Sequence, residues 1–146
     1  MIVYIDMDDV LCDFTGAFNR AIEKSPQMNF PQSQYGFYQK LPPLEGAIES
    51  VLALHASKNY TPYILTAPST KNPFSYAEKR VWVEEKLGDA FVDRLIICSH
   101  KGLLKGDILI DDNTSGRGQE NFEGRVIHFG GAQFPDWAEI NKELNI

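Results

Sequence analysis

Cysteine is scarce in this sequence: Cys12 and Cys98 are the only two among 146 residues, and they form no CxxC pair. This spacing supplies neither a disulfide framework nor a cysteine-rich metal site, so we expect two reduced thiols, with a single disulfide left open. Long apolar runs are also absent, since none approaches the roughly 18 residues that a membrane-spanning helix needs. We expect no signal peptide before the first apolar run. We therefore expect a cytoplasmic protein that does not enter a membrane.

An excess of basic residues is missing as well. The chain has 14 Lys and Arg against 20 Asp and Glu, for a formal net charge of −6. Proteins that bind nucleic-acid polymers usually present a basic face, so this balance argues against that class. The three histidines, at positions 55, 100 and 128, show no zinc-ligand spacing. A small phosphorylated substrate remains compatible with the charge if a metal ion and a few lysines contact the phosphate.

Short apolar runs alternate with segments of helical periodicity along the chain. Strands are predicted at residues 2–5, 60–66, 94–98, 108–111 and 125–129, and helices near 17–24, 45–58, 76–87 and 137–144. This alternation is typical of βαβ units, so we expect one α/β domain over residues 1–146 with a central parallel sheet. Residues 15–45 contain a stretch rich in Pro, Gln, Ser and aromatics with little periodicity. They predict a small helical or irregular cap inserted in that domain.

Carboxylates crowd the end of the first strand. Asp6, Asp8, Asp9 and Asp13 lie within the stretch DMDDVLCD, directly behind the apolar run IVYI. Like charges this close repel, so a solvated acidic turn and a cation site are the two readings. Asp9 and Asp13 fit the first reading, as turn or helix-start carboxylates. For Asp6 and Asp8, the choice between a solvated turn and a cation site depends on motifs elsewhere in the chain.

Three predicted strands end in polar residues that suit a phosphate and a metal ion. Asp6, Thr66 and the pair Asp111-Asp112 each follow an apolar run. In parallel sheets the ligand site lies beyond the carboxyl ends of the strands, so these side chains should converge. Mg2+ prefers carboxylate oxygens together with waters and a substrate phosphate. An aspartate such as Asp6 can attack phosphorus, and a second carboxylate such as Asp8 can act as acid and base.

The motifs together resemble the haloacid dehalogenase-like (HAD) phosphatases. The stretch DMDDV is similar to their DxDx(T/V) signature, and a threonine, a lysine and an Asp-Asp pair follow in the family's order. The stretches DMDDVLCDF, YILTAPS, EKRVWVEEKLGDAF and ILIDDN resemble the 5'(3')-deoxyribonucleotidase branch more narrowly. This resemblance implies a HAD-like Rossmannoid three-layer sandwich with a small cap. It also implies a Mg2+-dependent phosphomonoesterase that acts on (deoxy)nucleoside monophosphates through an aspartyl-phosphate.

The resemblance also implies roles for individual residues. Asp6 would be the nucleophile and a Mg2+ ligand, and Asp8 the acid/base whose backbone carbonyl binds the metal. The remaining predicted site residues are Thr66 and Lys79 for the phosphate, Asp111 and Asp112 for the metal, and Phe14 near the substrate base. Lys101 is a second candidate for the lysine role, but the helix that carries Lys79 is the closer match.

The chain departs from the branch at Asp9, where glycine is typical, at Cys12, where alanine is typical, and in a short cap segment. The alternative function is therefore a phosphatase for another small metabolite such as a sugar phosphate. A receiver-type phosphoacceptor domain uses similar residues, but there the acidic pair comes first and here it comes last. A homodimer is left open.

Overall fold

The computed structural model describes all 146 residues and contains one five-stranded sheet. The strands are β1 (Ile2–Ile5), β2 (Thr61–Thr66), β3 (Leu95–Ile97), β4 (Ile108–Asp111) and β5 (Arg125–His128). The helices are α1 (Phe14–Lys24), α2 (Ala47–Ala56), α3 (Ser75–Leu87) and α4 (Trp137–Leu144). The strand order is β3-β2-β1-β4-β5, and every neighbouring pair is parallel. The predicted α/β fold with a central parallel sheet is confirmed.

The two faces of the sheet are covered unequally. Val3 and Ile5 of β1 point into a cluster of 24 buried residues that also contains Trp82 of α3 and Trp137 of α4. Tyr4 points to the opposite face, where the buried cluster has only four members. Loops and two 3-10 turns, residues 101–103 and 119–121, lie beside that face. One outer layer is therefore thick and helical, and the other is thin.

Capping residues set the ends of the helices. Asp13 caps α1 by accepting a hydrogen bond from the backbone N–H of Gly16 at 2.9 Å, which confirms its expected role as a helix-start carboxylate. Asp136 caps α4 in the same way through Glu139 at 3.0 Å. Helix α3 ends at Gly88, whose φ of 84° is one that other residues rarely adopt. None of the four helices is long and apolar enough to cross a membrane.

The segment between β1 and α2 leaves the sheet and returns to the same place. Its two ends lie side by side, because Cys12 pairs with Pro43 in an antiparallel bridge. The backbone N–H of Asp13 donates to the carbonyl of Pro42, and that of Leu44 donates to the carbonyl of Leu11, both at 2.9 Å. Helix α1 and a 3-10 turn (Pro31–Ser33) lie within this segment. That it acts as a cap remains a prediction.

Candidate active site

The strand order brings the predicted polar residues to one edge. β1 lies between β2 and β4, so Asp6 after β1, Thr66 at the end of β2 and Asp111 at the end of β4 become neighbours. A cavity of about 350 Å³ opens at this edge. Carboxylates, a lysine and residues of the segment between β1 and α2 border it, among them Asp6, Asp8, Asp112, Lys101, Gln32 and Tyr38. The predicted convergence at the carboxyl ends of the strands is present in the structure.

Three carboxylates form a cluster of the kind that holds a hard cation. One oxygen each from Asp6, Asp111 and Asp112 lies within 4.8 Å of the other two. Burial raises the pKa of Asp112 to about 7, and the charges of Asp6 and Asp111 add to that effect. Burial and the charge of Asp6 likewise raise the pKa of Asp111. The cluster is electrostatically unfavourable by itself, and a divalent cation bound among these oxygens would relieve the repulsion.

Asp111 and Asp112 differ in the number of protein hydrogen-bond donors that their carboxylates accept from. Asp111 is fully buried, and both of its oxygens accept hydrogen bonds: Oδ2 from Lys101 at 2.5 Å and Oδ1 from the backbone N–H of Asn113 at 2.9 Å. Gln119 donates to both oxygens at 3.2 Å. The carboxylate of Asp112 borders the cavity and accepts from the Asn113 side chain alone. The carboxylate oxygens of Asp112 therefore have lone pairs free to bind a metal ion, whereas those of Asp111 are largely occupied by protein donors.

Lys101 lies between two of these carboxylates. Its Nζ is 2.7 Å from Oδ1 of Asp6 and 2.5 Å from Oδ2 of Asp111, and its side chain is 2% exposed. Burial alone would lower the pKa of Lys101, but the two carboxylates outweigh it and raise the pKa above its usual value. The ammonium therefore stays charged and neutralises part of the acidic cluster.

Lys79 occupies the opposite side of the site. Its Nζ lies 2.8 Å from Oδ2 of Asp8, 2.7 Å from the hydroxyl of Thr66 and 2.8 Å from the carbonyl of Ala67. Asp8 remains about a quarter exposed, at 28% of its side chain. Burial raises the pKa of the Asp8 carboxyl, and the charge of Lys79 offsets part of that rise. The structure thus brings together Asp6, Asp8, Thr66 and both candidate lysines.

Asp9 stands where glycine is typical of the family, and its backbone has a conformation that favours glycine. Its φ is 57°, in the left-handed region that glycine adopts most readily and that aspartate tolerates better than most residues. Its carboxylate accepts hydrogen bonds from the backbone N–H of Thr15 at 2.8 Å and from the Thr15 hydroxyl at 2.6 Å. Asp9 therefore stabilises the first turn of α1, as expected for a turn carboxylate. It also borders the cavity.

Aromatic rings of the segment between β1 and α2 form one side of the cavity. Phe14 and Tyr38 both border it, and their rings stack with centroids 6.0 Å apart. Glu78 of α3 holds this region in place, since its buried carboxylate accepts from the backbone N–H groups of Gly36 at 2.5 Å and Tyr38 at 3.0 Å. Phe14 also packs against the large core, so contact with a substrate base stays a prediction.

A family model described as 5' nucleotidase, deoxy (pyrimidine), cytosolic type C protein matches residues 27–137 of the chain. The chain belongs to this family. The family lies within the HAD superfamily, as the motifs indicated. A putative 5'(3')-deoxyribonucleotidase of Vibrio phage KVP40 is 41% identical over 141 residues, covering 95% of this chain and 81% of the relative. The human cytosolic-type 5'(3')-deoxyribonucleotidase is 32% identical over 147 residues, covering 81% and 73%.

Two residues at this candidate site, Gln119 and Glu78, are not predicted from the sequence. Gln119 braces Asp111 from a loop that carries no recognisable pattern. Glu78 precedes Lys79 directly, but on sequence it reads as a solvated helix charge, whereas it is only 4% exposed. Lys101 is a lysine candidate on sequence, but it ranks below Lys79 there because the helix that carries Lys79 is the closer match to the branch. A lysine ten residues before a strand-end aspartate was the available signal for it.

Proposed function

We propose that this protein is a Mg2+-dependent phosphomonoesterase that hydrolyses deoxynucleoside monophosphates to nucleoside and phosphate. The observation that carries the proposal is that Asp6, Asp8 and Asp112 border one cavity, with Thr66 and the buried Lys79 beside them. Family membership supports the phosphatase class, and the names of the phage and human relatives support the deoxynucleotide substrate.

The donor set fits Mg2+. Asp6 and Asp112 would supply carboxylate oxygens and Asp8 its backbone carbonyl, while Asp111 would orient Lys101. Mg2+ bound there supplies positive charge against the phosphate oxygens and the acidic cluster. Asp112 is the better candidate for the direct ligand of the pair, because the oxygens of Asp111 are already occupied by protein donors.

Asp6 is the proposed nucleophile. Lys101 holds Oδ1 of Asp6, which leaves Oδ2 as the oxygen without a lysine partner. Oδ2 attacks phosphorus, the ester P–O bond breaks, and Asp8 gives a proton to the departing nucleoside oxygen. Water then attacks the aspartyl-phosphate while Asp8 takes a proton from it. Lys101, which borders the cavity, and Thr66, at the adjacent end of β2, are the proposed donors to phosphate oxygens.

A phosphate-release assay tests the function. The purified protein is incubated with deoxynucleoside 5'- and 3'-monophosphates, ribonucleotides and sugar phosphates, in Mg2+ or in EDTA. We expect Mg2+-dependent release that is fastest from deoxynucleotides, and none from Asp6→Asn, with Asp93→Asn at an exposed carboxylate as the control. Absence of release from every substrate would refute the enzyme, and release from sugar phosphates alone would refute the substrate class.

We also propose a cytoplasmic location, supported by the cytosolic type in the name of the human relative. A homodimer remains a prediction, and sedimentation of the purified protein measures it.

A further inference from the structure

The ammonium group of Lys79 is fully bonded within the protein. An ammonium has three N–H donors and no acceptor, and Lys79 directs its three to Asp8, Thr66 and Ala67 at 2.7 to 2.8 Å. The side chain is 1% exposed, and the ring of Tyr38 covers it with its centroid 5.0 Å from Nζ. Lys79 does not border the cavity. No donor is left for a substrate unless one of these bonds breaks.

Lys101 is equally buried but differs in its hydrogen bonding and in its position at the cavity. It makes two ion pairs, to Asp6 and Asp111, so one of its three donors remains available. It also borders the cavity that Asp6 and Asp112 line. Of the two buried lysines, Lys101 is the one whose nitrogen a phosphate in the cavity can reach.

We propose that Lys79 is a positioning residue, which holds the Asp8 carboxylate and the Thr66 hydroxyl in their working orientations without contacting the phosphate. This inference rests on the proposed phosphomonoesterase function and replaces the sequence-based expectation that Lys79 binds phosphate.

The consequence for Asp8 concerns which oxygen carries the proton. Lys79 occupies Oδ2, so Oδ1 is the oxygen that has no nitrogen donor and can hold the transferable proton. As the Asp6–phosphorus bond forms and the ester P–O bond breaks, that proton moves from Asp8 to the departing oxygen. When water attacks phosphorus and frees Asp6, the water proton returns to Asp8, and the balance is restored.

The consequence for Thr66 concerns its hydroxyl hydrogen. Because Oγ1 of Thr66 accepts from Lys79 at 2.7 Å, the hydroxyl hydrogen must point elsewhere. The carbonyl of Ala67 is a poor acceptor for it, at 3.5 Å and already bonded to Lys79 at 2.8 Å. Lys79 therefore leaves the hydroxyl hydrogen of Thr66 without a good acceptor in the protein, and a phosphate oxygen is the acceptor that the proposal assigns to it.

The leaving group distinguishes positioning from phosphate binding. In Lys79→Met, kcat/KM is measured on one sample for a deoxynucleoside monophosphate and for p-nitrophenyl phosphate. The nitrophenolate departs without a proton, so it does not need Asp8 in the first step. We expect kcat/KM to fall about 100-fold or more for the nucleotide but less than about tenfold for p-nitrophenyl phosphate, the smaller loss reflecting Thr66. Equal losses would overturn the proposal, because a phosphate ligand serves both substrates alike.

The ratio of the two losses does not depend on the folded fraction of the sample, so partial unfolding of Lys79→Met leaves the test valid. Inhibition by inorganic phosphate gives an independent readout, with Lys101→Met as the matched buried-lysine variant. We expect Lys79→Met to keep the inhibition constant within about threefold, well under the tenfold that corresponds to roughly 1.4 kcal/mol, and Lys101→Met to weaken it more. The reverse order would contradict the assignment.

A double variant tests whether Lys79 acts through Asp8. The nucleotide activity of Asp8→Asn combined with Lys79→Met should be no lower than that of Asp8→Asn alone, apart from the small loss through Thr66. Full multiplication of the two losses would overturn the proposal. If the wild-type protein hydrolyses alkyl phosphates other than nucleotides, only the proposed substrate class fails, and the same comparison proceeds with that alkyl phosphate. If it hydrolyses no phosphomonoester, both proposals fail.

Discussion

The Nζ of Lys101 lies 2.7 Å from Oδ1 of Asp6, the residue that directly follows the central strand. The same nitrogen lies 2.5 Å from Oδ2 of Asp111, at the end of the adjacent strand β4. One buried cation therefore joins two strand ends and offsets the repulsion between their carboxylates. Breaking such a pair leaves a buried charge uncompensated, which is costly in a medium of low polarity.

Replacing this cation should weaken both the fold and the reaction. We expect Lys101→Met to lower the free energy of unfolding in EDTA by about 3 kcal/mol, because Asp6 and Asp111 lose their shared partner. Excess Mg2+ should restore part of that loss, since a divalent cation neutralises the same carboxylates. Denaturant unfolding with and without Mg2+ measures both effects. Lys105→Met is the control, because Lys105 is exposed and makes no ion pair; an equal loss there would contradict the role of Lys101.

We expect the two aspartates of the pair to have different roles, Asp112 as a metal ligand and Asp111 as the residue that holds Lys101. We expect Asp112→Asn to raise the Mg2+ concentration for half-maximal activity by at least about tenfold, a cost of roughly 1.4 kcal/mol. Asp111→Asn should change that concentration less but lower the melting temperature more, because Asp111 is fully buried against Lys101. Mg2+ titrations of activity and thermal melts of both variants measure this. A larger Mg2+ requirement in Asp111→Asn would reverse the assignment.

The metal-free protein should lose stability as pH rises. Burial and neighbouring carboxylates raise the pKa of Asp112 from 3.8 to about 7, so between these values the folded state keeps a proton that the unfolded state has released. The free energy of unfolding therefore falls with increasing pH across this range and levels off above about pH 7. Thermal melts in EDTA from pH 5 to pH 8 should show the fall, and Asp112→Asn should reduce it.

Mg2+ provides the matching control for this pH dependence. It should raise the melting temperature more at pH 8, where Asp112 is ionised, than at pH 5, where a proton occupies the carboxylate. An identical pH slope in wild type and Asp112→Asn would show that Asp112 does not cause it.

Asp9 should contribute to stability through its side chain although its backbone is strained. We expect Asp9→Ala to lower the free energy of unfolding by about 1 to 2 kcal/mol, because alanine loses both bonds to Thr15 and tolerates a φ of 57° poorly. Asp9→Gly should cost less, because glycine adopts this φ without strain. Denaturant unfolding compares the two, and a glycine variant less stable than the alanine variant would refute the backbone argument.

Glu78 should affect substrate binding more than chemistry. Its carboxylate fixes the backbone of Gly36 and Tyr38, and Tyr38 borders the cavity. We expect Glu78→Gln to raise KM for the nucleotide several-fold with a smaller change in kcat, because one amide hydrogen bond is lost at the cap side. Glu85→Gln on the same helix is the control, since Glu85 is exposed and reaches the cap only through Gln39 at 3.4 Å. A loss confined to kcat would contradict this role.

The sequence predicted the positions of Asp6, Thr66 and Asp111 because apolar runs identify buried strands. Parallel strands also place their carboxyl ends at one edge, so the convergence follows without detailed coordinates. Helix α4 agrees with its predicted bounds, and α3 ends at the predicted Gly88, because capping chemistry is local. Local sequence rules therefore predicted the sheet, the helices and the edge of the sheet at which the polar residues lie.

Those local rules do not predict the different contacts of Lys79 and Lys101. Both are long, flexible side chains near the predicted edge, and which acceptors each amine meets depends on how α3 and the turn at 101–103 pack. Gln119 illustrates the same limit, since its contact with Asp111 joins the 3-10 turn at 119–121 to the end of β4 through tertiary packing alone. The unequal coverage of the sheet is also invisible to periodicity, which marks a residue as buried without naming the layer that covers it.

The bridge between Cys12 and Pro43 has a consequence for how such enzymes diversify. Because the inserted segment begins and ends at adjacent points, its length can change without shifting the register of the strands. The strand ends that carry the candidate site and the predicted cap can then change independently of each other. For protein engineering, residues 14–42 form a unit whose length can be changed without moving the strand ends that carry Asp6, Thr66 and Asp111.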